Sequence, residues 1–152
     1  MNETLFRERC RENQIKITDQ RLAIYKELSR SFNHPSADRI FQNIKKKFPN
    51  ISFDTVNRTV LTFSEIGLVR MVEGCGDARR FDPNTHQHHH LRCVKCHSII
   101  DFQNKTYDEL QIPKKLPSHF KILSKKMILE GLCEDCSDPK KGDRYARRKQ
   151  KK

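Results

Sequence analysis

Four of the six cysteines form two pairs, Cys93-Val-Lys-Cys96 and Cys133-Glu-Asp-Cys136. Each C-x-x-C spacing puts two thiolates on one tight turn, and two such turns facing each other offer a tetrahedral all-sulfur site. Zn²⁺ favours that donor set. With all four positions filled by protein the ion has no vacancy for chemistry, so the site reads as structural. A redox dithiol is the rival reading of a single pair, and the second pair favours zinc. Cys10 and Cys75 have no neighbour at ligand spacing and read as ordinary small residues.

A second cluster is chemically different. Five of the seven histidines lie close together: His86, His88, His89, His90 and His97. On an extended strand alternate side chains share a face, so His88 and His90 point one way and His89 the other. His89 is expected to face solvent, with an auxiliary metal site beside His86 as the alternative. Asp82 precedes the cluster and Asp101 follows the first cysteine pair. Imidazole and carboxylate donors suit Fe²⁺, Mn²⁺ or Zn²⁺, and a site built from them can load and unload.

The elements that must position these groups suggest an α+β chain of two domains. Thr18 caps a helix over 19–31, with Leu22, Tyr25 and Leu28 on one face and Ile24 beside Leu28. Asn33-His34-Pro35 interrupts it. Ser36 opens a second helix, carrying Ile40, Phe41, Ile44 and Phe48 and ending at Pro49, and Ser52 opens a third with Val56, Val60 and Phe63 inward. Gly67 stops that helix, and strand-like residues 68–73, a Gly74-Cys-Gly-Asp77 turn and a short run at 79–81 follow. Three helices and a hairpin are the order of a winged helix-turn-helix, whose third helix can enter a major groove. The outer face of that helix offers Ser52, Asp54, Thr55, Asn57, Arg58 and Thr59. Arg58 suits guanine or a phosphate, and Asn57 suits adenine.

A hinge is expected at Asp82-Pro83-Asn84, dividing a DNA-binding domain (1–82) from a small α/β dimerisation and metal-binding domain (83–139). The second domain should hold strands at 91–94 and 99–102, a short helix over 106–111 and strand-prone stretches within 120–132. So small a core needs support from metal or from oligomerisation.

The net charge is +12, a field suited to phosphate polymers. It is uneven, because eight of the 31 basic residues and one of the 19 acids lie in residues 140–152, which leaves +5 on the rest. That tail reads as a disordered basic arm. No apolar run approaches the ~20 residues of a membrane span, and the start lacks a secretory signal. A cytoplasmic protein is expected.

Residues 81–102, FDPNTHQHHHLRCVKCHSIIDF, resemble the core signature of the ferric uptake regulator (Fur) family: an acid, H-x-H with neighbouring histidines, C-x-x-C, then an acid–aromatic pair. Residues 17–21, 34–38, 48–52, 55–56 and 67–69 match that family's N-terminal half in order. The resemblance implies a homodimeric, metal-dependent transcriptional regulator, a repressor, bound to a palindromic operator, and not an enzyme. It implies a regulatory Fe²⁺ or Mn²⁺ held by His34, Asp82, His88, His90 and Asp101, beside the structural zinc. Asp101 stands where iron- and zinc-sensing members more often carry Glu, which is similar to the peroxide-sensing (PerR-type) branch. There, iron-catalysed oxidation of a ligand histidine releases DNA, and His34 and His88 are the positions at risk. Sensing of iron or zinc availability is the alternative, and a metalloenzyme using the His/Asp cluster a more distant one. The sequence departs from the family at Asn57, where Tyr is usual, at His97, which replaces a common Gly, and at Lys125 and Lys126, where a further His stands in iron-sensing members.

Overall fold

The computed structural model describes residues 3–31, 33–72, 79–113, 115, 117 and 119–138. The chain divides into two compact units, Met1–His86 and Gln87–Lys152, so the division falls just beyond the expected hinge.

The first unit runs α1 (Glu3–Glu12), α2 (Asp19–Ser29), α3 (Ala37–Lys45), α4 (Phe53–Glu65), β1 (Arg70–Val72) and β2 (Arg80–Asp82). Three of these helices start at a hydroxyl cap. Thr18, Ser36 and Ser52 accept from the backbone N–H groups of Arg21, Arg39 and Thr55, satisfying donors that the first turn leaves without an intrahelical partner. Gly67 follows α4 at φ +72, a left-handed conformation that costs an L side chain energy, and the next two N–H groups turn back to Phe63 O.

Sequence periodicity missed α1. Only Phe6 and Cys10 of its ten residues are buried, amid a charged remainder. Those two reach the centre of the unit nonetheless. Phe6 stacks on Tyr25 at 4.8 Å, and Phe63 meets both rings edge-on at 5.8 and 6.2 Å. Ile24, Leu28, Ile40, Ile44, Val56 and Val60 complete the core. Leu22, expected inward, is only partly buried. The helix opened by Ser36, α3, ends at Lys45 rather than at Pro49, and Phe48 packs on the core from the following turn.

β1 and β2 pair antiparallel, Arg70 opposite Asp82 and Met71 opposite Phe81. The strand starts later than expected because Leu68 and Val69 are spent in the core. The expected turn at residues 74–77, with Cys75, lies outside the described residues, as does the 140–152 tail.

The second unit holds β3 (His89–Cys93), β4 (Ile99–Phe102), α5 (Lys105–Asp108), β5 (Ile128–Gly131) and α6 (Glu134–Ser137). β3 is central, antiparallel to β4 and parallel to β5. Of the strand-prone segment 120–132, only Ile128–Gly131 pairs. Among the described residues of this unit, the buried apolar groups are Cys93, Ile99 and Cys136. Such a core is too small to hold the unit together by hydrophobic burial. No helix among the described residues is long and apolar enough to cross a membrane.

Candidate metal centres and nucleic-acid face

The four cysteines converge because β3 and β5 run parallel with Cys93 opposite Gly131. Cys96 lies on the turn after β3. Cys133 caps α6, and Cys136 is brought back over it by its N–H bond to Cys133 O. The four Sγ atoms lie within 4.8 Å of one another, with Cys96 and Cys133 at 3.6 Å. A tetrahedral zinc with Zn–S bonds of ~2.3 Å spaces its sulfurs ~3.8 Å apart, so the cradle fits the ion.

Burial presses the Cys93 thiol upward, but backbone N–H donors of Cys133, Cys96 and Lys95 and the Cys96 thiol outweigh it and bring it down to about 6. Cys136 is pushed up to about 12, first by burial and then by the surrounding thiols. Metal loading therefore expels protons, and affinity rises with pH.

His97 closes the first cysteine turn at φ +58, its N–H donating to Cys93 O. A non-glycine residue there carries ~1–2 kcal/mol of strain. Glycine at this position is expected to raise thermal stability modestly. His97→Val is expected to lower it by ~1 kcal/mol or more, since a branched side chain resists positive φ; melting of the zinc-loaded protein checks both.

The nitrogen and oxygen donors occupy two places. In the second unit, His90 sits opposite Asp101 in the β3–β4 register. Alternation puts His88 on the same side, with the two Nε2 atoms 2.9 Å apart. Asp101 Oδ1 is 3.7 Å from His88 Nε2 and 3.5 Å from His90 Nε2. In the first unit, buried His34 Nε2 stands 3.7 Å from Asp82 Oδ1. Each group offers donors spaced for a shared ion of the kind that imidazole and carboxylate select.

His34 adopts φ +44, a strained conformation for a non-glycine residue, and its surroundings enforce it. Ser36 bridges Arg80, Phe81 N–H donates to Pro35 O, and the Arg80 guanidinium donates to His34 O at 3.4 Å. The loop bearing His34 is thereby pinned to the strand bearing Asp82.

His89 overturns its expectation. It is 1% exposed, accepts from Met127 N–H at Nδ1 (3.1 Å), and faces Asp108 Oδ1 with Nε2 (3.2 Å). Phe102 and Tyr107 flank its ring. The reverse side of β3 is covered by α5, so a histidine pointing away from His88 meets protein rather than water. Its Nδ1 is taken by that hydrogen bond and its ring is packed inside the unit, whereas His86 is exposed. The short helix foreseen after Asn104 was the available clue to this cover.

On α4, Ser52, Asp54, Thr55 and Arg58 are exposed and Asn57 is half-buried. Thr59 is a correction: it is 7% exposed, and its hydroxyl donates to Thr55 O at 2.7 Å. It lies one turn from both Thr55 and the buried Phe63, which rotates it onto the core side. Arg58 pairs with Asp54 at 2.9 Å on the open surface, a contact worth little in water and easily exchanged.

The model of the ferric uptake regulator family matches residues 12–130. The peroxide-responsive repressor PerR of Staphylococcus saprophyticus is 38% identical over 128 residues, covering 84% of this chain and 86% of that protein. The repressor of the same name from Staphylococcus epidermidis is 37% identical over 124 residues, covering 82% and 83%. The Helicobacter pylori ferric uptake regulator Fur shares the fold, with a TM-score of 0.70 at 23% identity over 89% of this chain and 91% of that one.

Proposed function

This chain belongs to the ferric uptake regulator family, and we propose on that footing that it is a metal-dependent, peroxide-responsive transcriptional repressor acting as a homodimer on palindromic DNA. The observation that supports the reading is that each unit carries its own closely spaced nitrogen and oxygen donors. His34 and Asp82 belong to the unit with the DNA-reading helix, and His88, His90 and Asp101 to the other.

One ion drawing on both groups favours the arrangement in which they meet, and so shifts the population towards a DNA-competent shape. Asp101 contributes a carboxylate at the place where the sheet register aligns it with His90. Zinc at Cys93, Cys96, Cys133 and Cys136 is structural. Fe²⁺ bound at the regulatory site would supply the electron that opens the O–O bond of hydrogen peroxide; overall one peroxide oxygen replaces a ring hydrogen of a ligand imidazole, a two-electron oxidation of the ring, and the other oxygen leaves as water. The oxidation is assigned to His34 or His88. Oxygen added to either ring weakens it as a donor, the two units lose their tie, and DNA is released.

The DNA contacts assigned to α4 are Ser52, Thr55, Asn57 and Arg58. A mobility shift on DNA selected by the loaded protein tests the reading. Binding should disappear with EDTA and return with Mn²⁺ or Fe²⁺, and should weaken with salt as phosphate contacts release counterions. Binding indifferent to chelation and refilling would overturn it.

The sheet supplies a dimer face. Ile100, Leu91 and Leu129 stand opposite one another across β4, β3 and β5, and all three are exposed. Leu132 extends the patch, also exposed. Leu91→Lys is expected to weaken the dimer on the order of 1,000-fold, because two apolar contacts are lost by symmetry and a charge is introduced. Sedimentation of the zinc-replete variant measures this, and an unchanged dimer would place the interface elsewhere.

A further inference from the structure

We propose that Phe53 is a specificity-determining residue that reads a thymine through its 5-methyl group. The assignment rests on the DNA-binding reading above and goes beyond it, since the polar face of α4 says nothing about an apolar contact.

Phe53 is the first residue of α4, immediately after the Ser52 cap. It is 46% exposed, and among the described residues of the first unit it is the exposed aromatic. Its ring is held in place. Phe41, half-buried on α3, meets it edge-on at 5.9 Å and 90°. Lys45 Nζ lies 5.3 Å from the Phe41 ring centroid, and Lys45, Lys46 and Lys47 at the end of α3 are all exposed. An oriented aromatic ring therefore projects from the start of the recognition helix, next in sequence to the Ser52 cap, and its neighbour Phe41 carries the Lys45 ammonium over its own ring.

A single exposed apolar residue ordinarily means nothing. Here its position constrains what it can touch. The N-terminal residues of a recognition helix meet base edges, while the helix before it crosses the phosphate backbone. The lysines match the phosphates in charge. A phenyl ring has no donor or acceptor, and the apolar group that a major groove presents is the thymine methyl. Phe41 limits the ring's freedom, so less rotamer entropy is lost on contact.

The test uses the full-length, zinc-replete, Mn²⁺-loaded protein. A preferred duplex is selected from a random pool, and each thymine of a half-site is then replaced by uracil, which removes only the methyl. Anisotropy titrations compare wild type, Phe53→Ala and Phe53→Leu, with zinc content and helicity measured for each. One thymine should stand out, its loss weakening wild type about four-fold per half-site, the cost of returning one methyl group to water. Phe53→Ala should be indifferent to that substitution, and Phe53→Leu should retain part of the discrimination. Uracil losses equal in wild type and Phe53→Ala, or absent from wild type, overturn the assignment while leaving DNA binding intact. A pool that yields no preferred duplex overturns the DNA-binding reading itself, and this assignment with it.

Discussion

Replacing Cys133 with serine is expected to strip the structural zinc and unfold the second unit while the first stays folded. The reason is an imbalance between the two cores. The first unit packs a continuous cluster from Phe6 to Phe81. Among described residues, the second has only Cys93, Ile99 and Cys136 as buried apolar groups, two of them proposed zinc donors. Structural zinc contributes ~10–16 kcal/mol of apparent binding free energy in small domains, far more than such a core can supply. A hydroxyl is a poor replacement for a thiolate. It also removes the partner that Cys96 Sγ meets at 3.6 Å. Zinc per chain should fall from one to near zero after dialysis, the protein should become monomeric, and amide protection should vanish from 87–138 while persisting in α2 and α4. A zinc-free variant that remains dimeric would show that burial alone holds the sheet.

His88→Ala is expected to have the second large effect, on function rather than folding. The side chain lies just before β3 and, in its own unit, approaches His90 and Asp101 of the regulatory set. Its loss should leave zinc content and the dimer unchanged. Operator affinity in saturating Mn²⁺ should drop to the metal-free level, roughly 5–150-fold, the usual range of coupling between two sites. Isothermal titration with Mn²⁺ and operator binding on the same sample separate lost metal from lost coupling. If the variant retains full Mn²⁺-stimulated binding, His88 is not a ligand of the ion that matters.

Much of this arrangement is legible in the sequence. The cysteine spacing is local chemistry, and the parallel pairing of β3 with β5 had only to bring the two turns together. The cap residues Thr18, Ser36 and Ser52 marked helix starts to the residue, because a hydroxyl at that place has one job. What escaped depends on neighbours distant in sequence. α1 carries too few apolar residues for its period to register, yet Phe6 sits at the centre of an aromatic cluster. Alternation along β3 separated His89 from His88 and His90 correctly, but it could not say what covers the other side. That cover is Phe102, Tyr107, Asp108 and Met127. Thr59 failed for a related reason: its polarity suggested solvent, whereas its hydroxyl is satisfied within the helix and leaves a methyl for the core.

Peroxide sensing is expected to proceed by oxidation of a histidine that holds the regulatory ion. Its most direct test loads the zinc-replete protein with Fe²⁺ or with Mn²⁺, treats each with equimolar hydrogen peroxide, and follows peptide mass and operator binding together. One added oxygen should appear on the peptide carrying His34 or His88 in the iron form, in step with the loss of DNA binding, and the manganese form should stay unmodified and bound. Release of DNA by the iron form with both histidines intact would contradict the account.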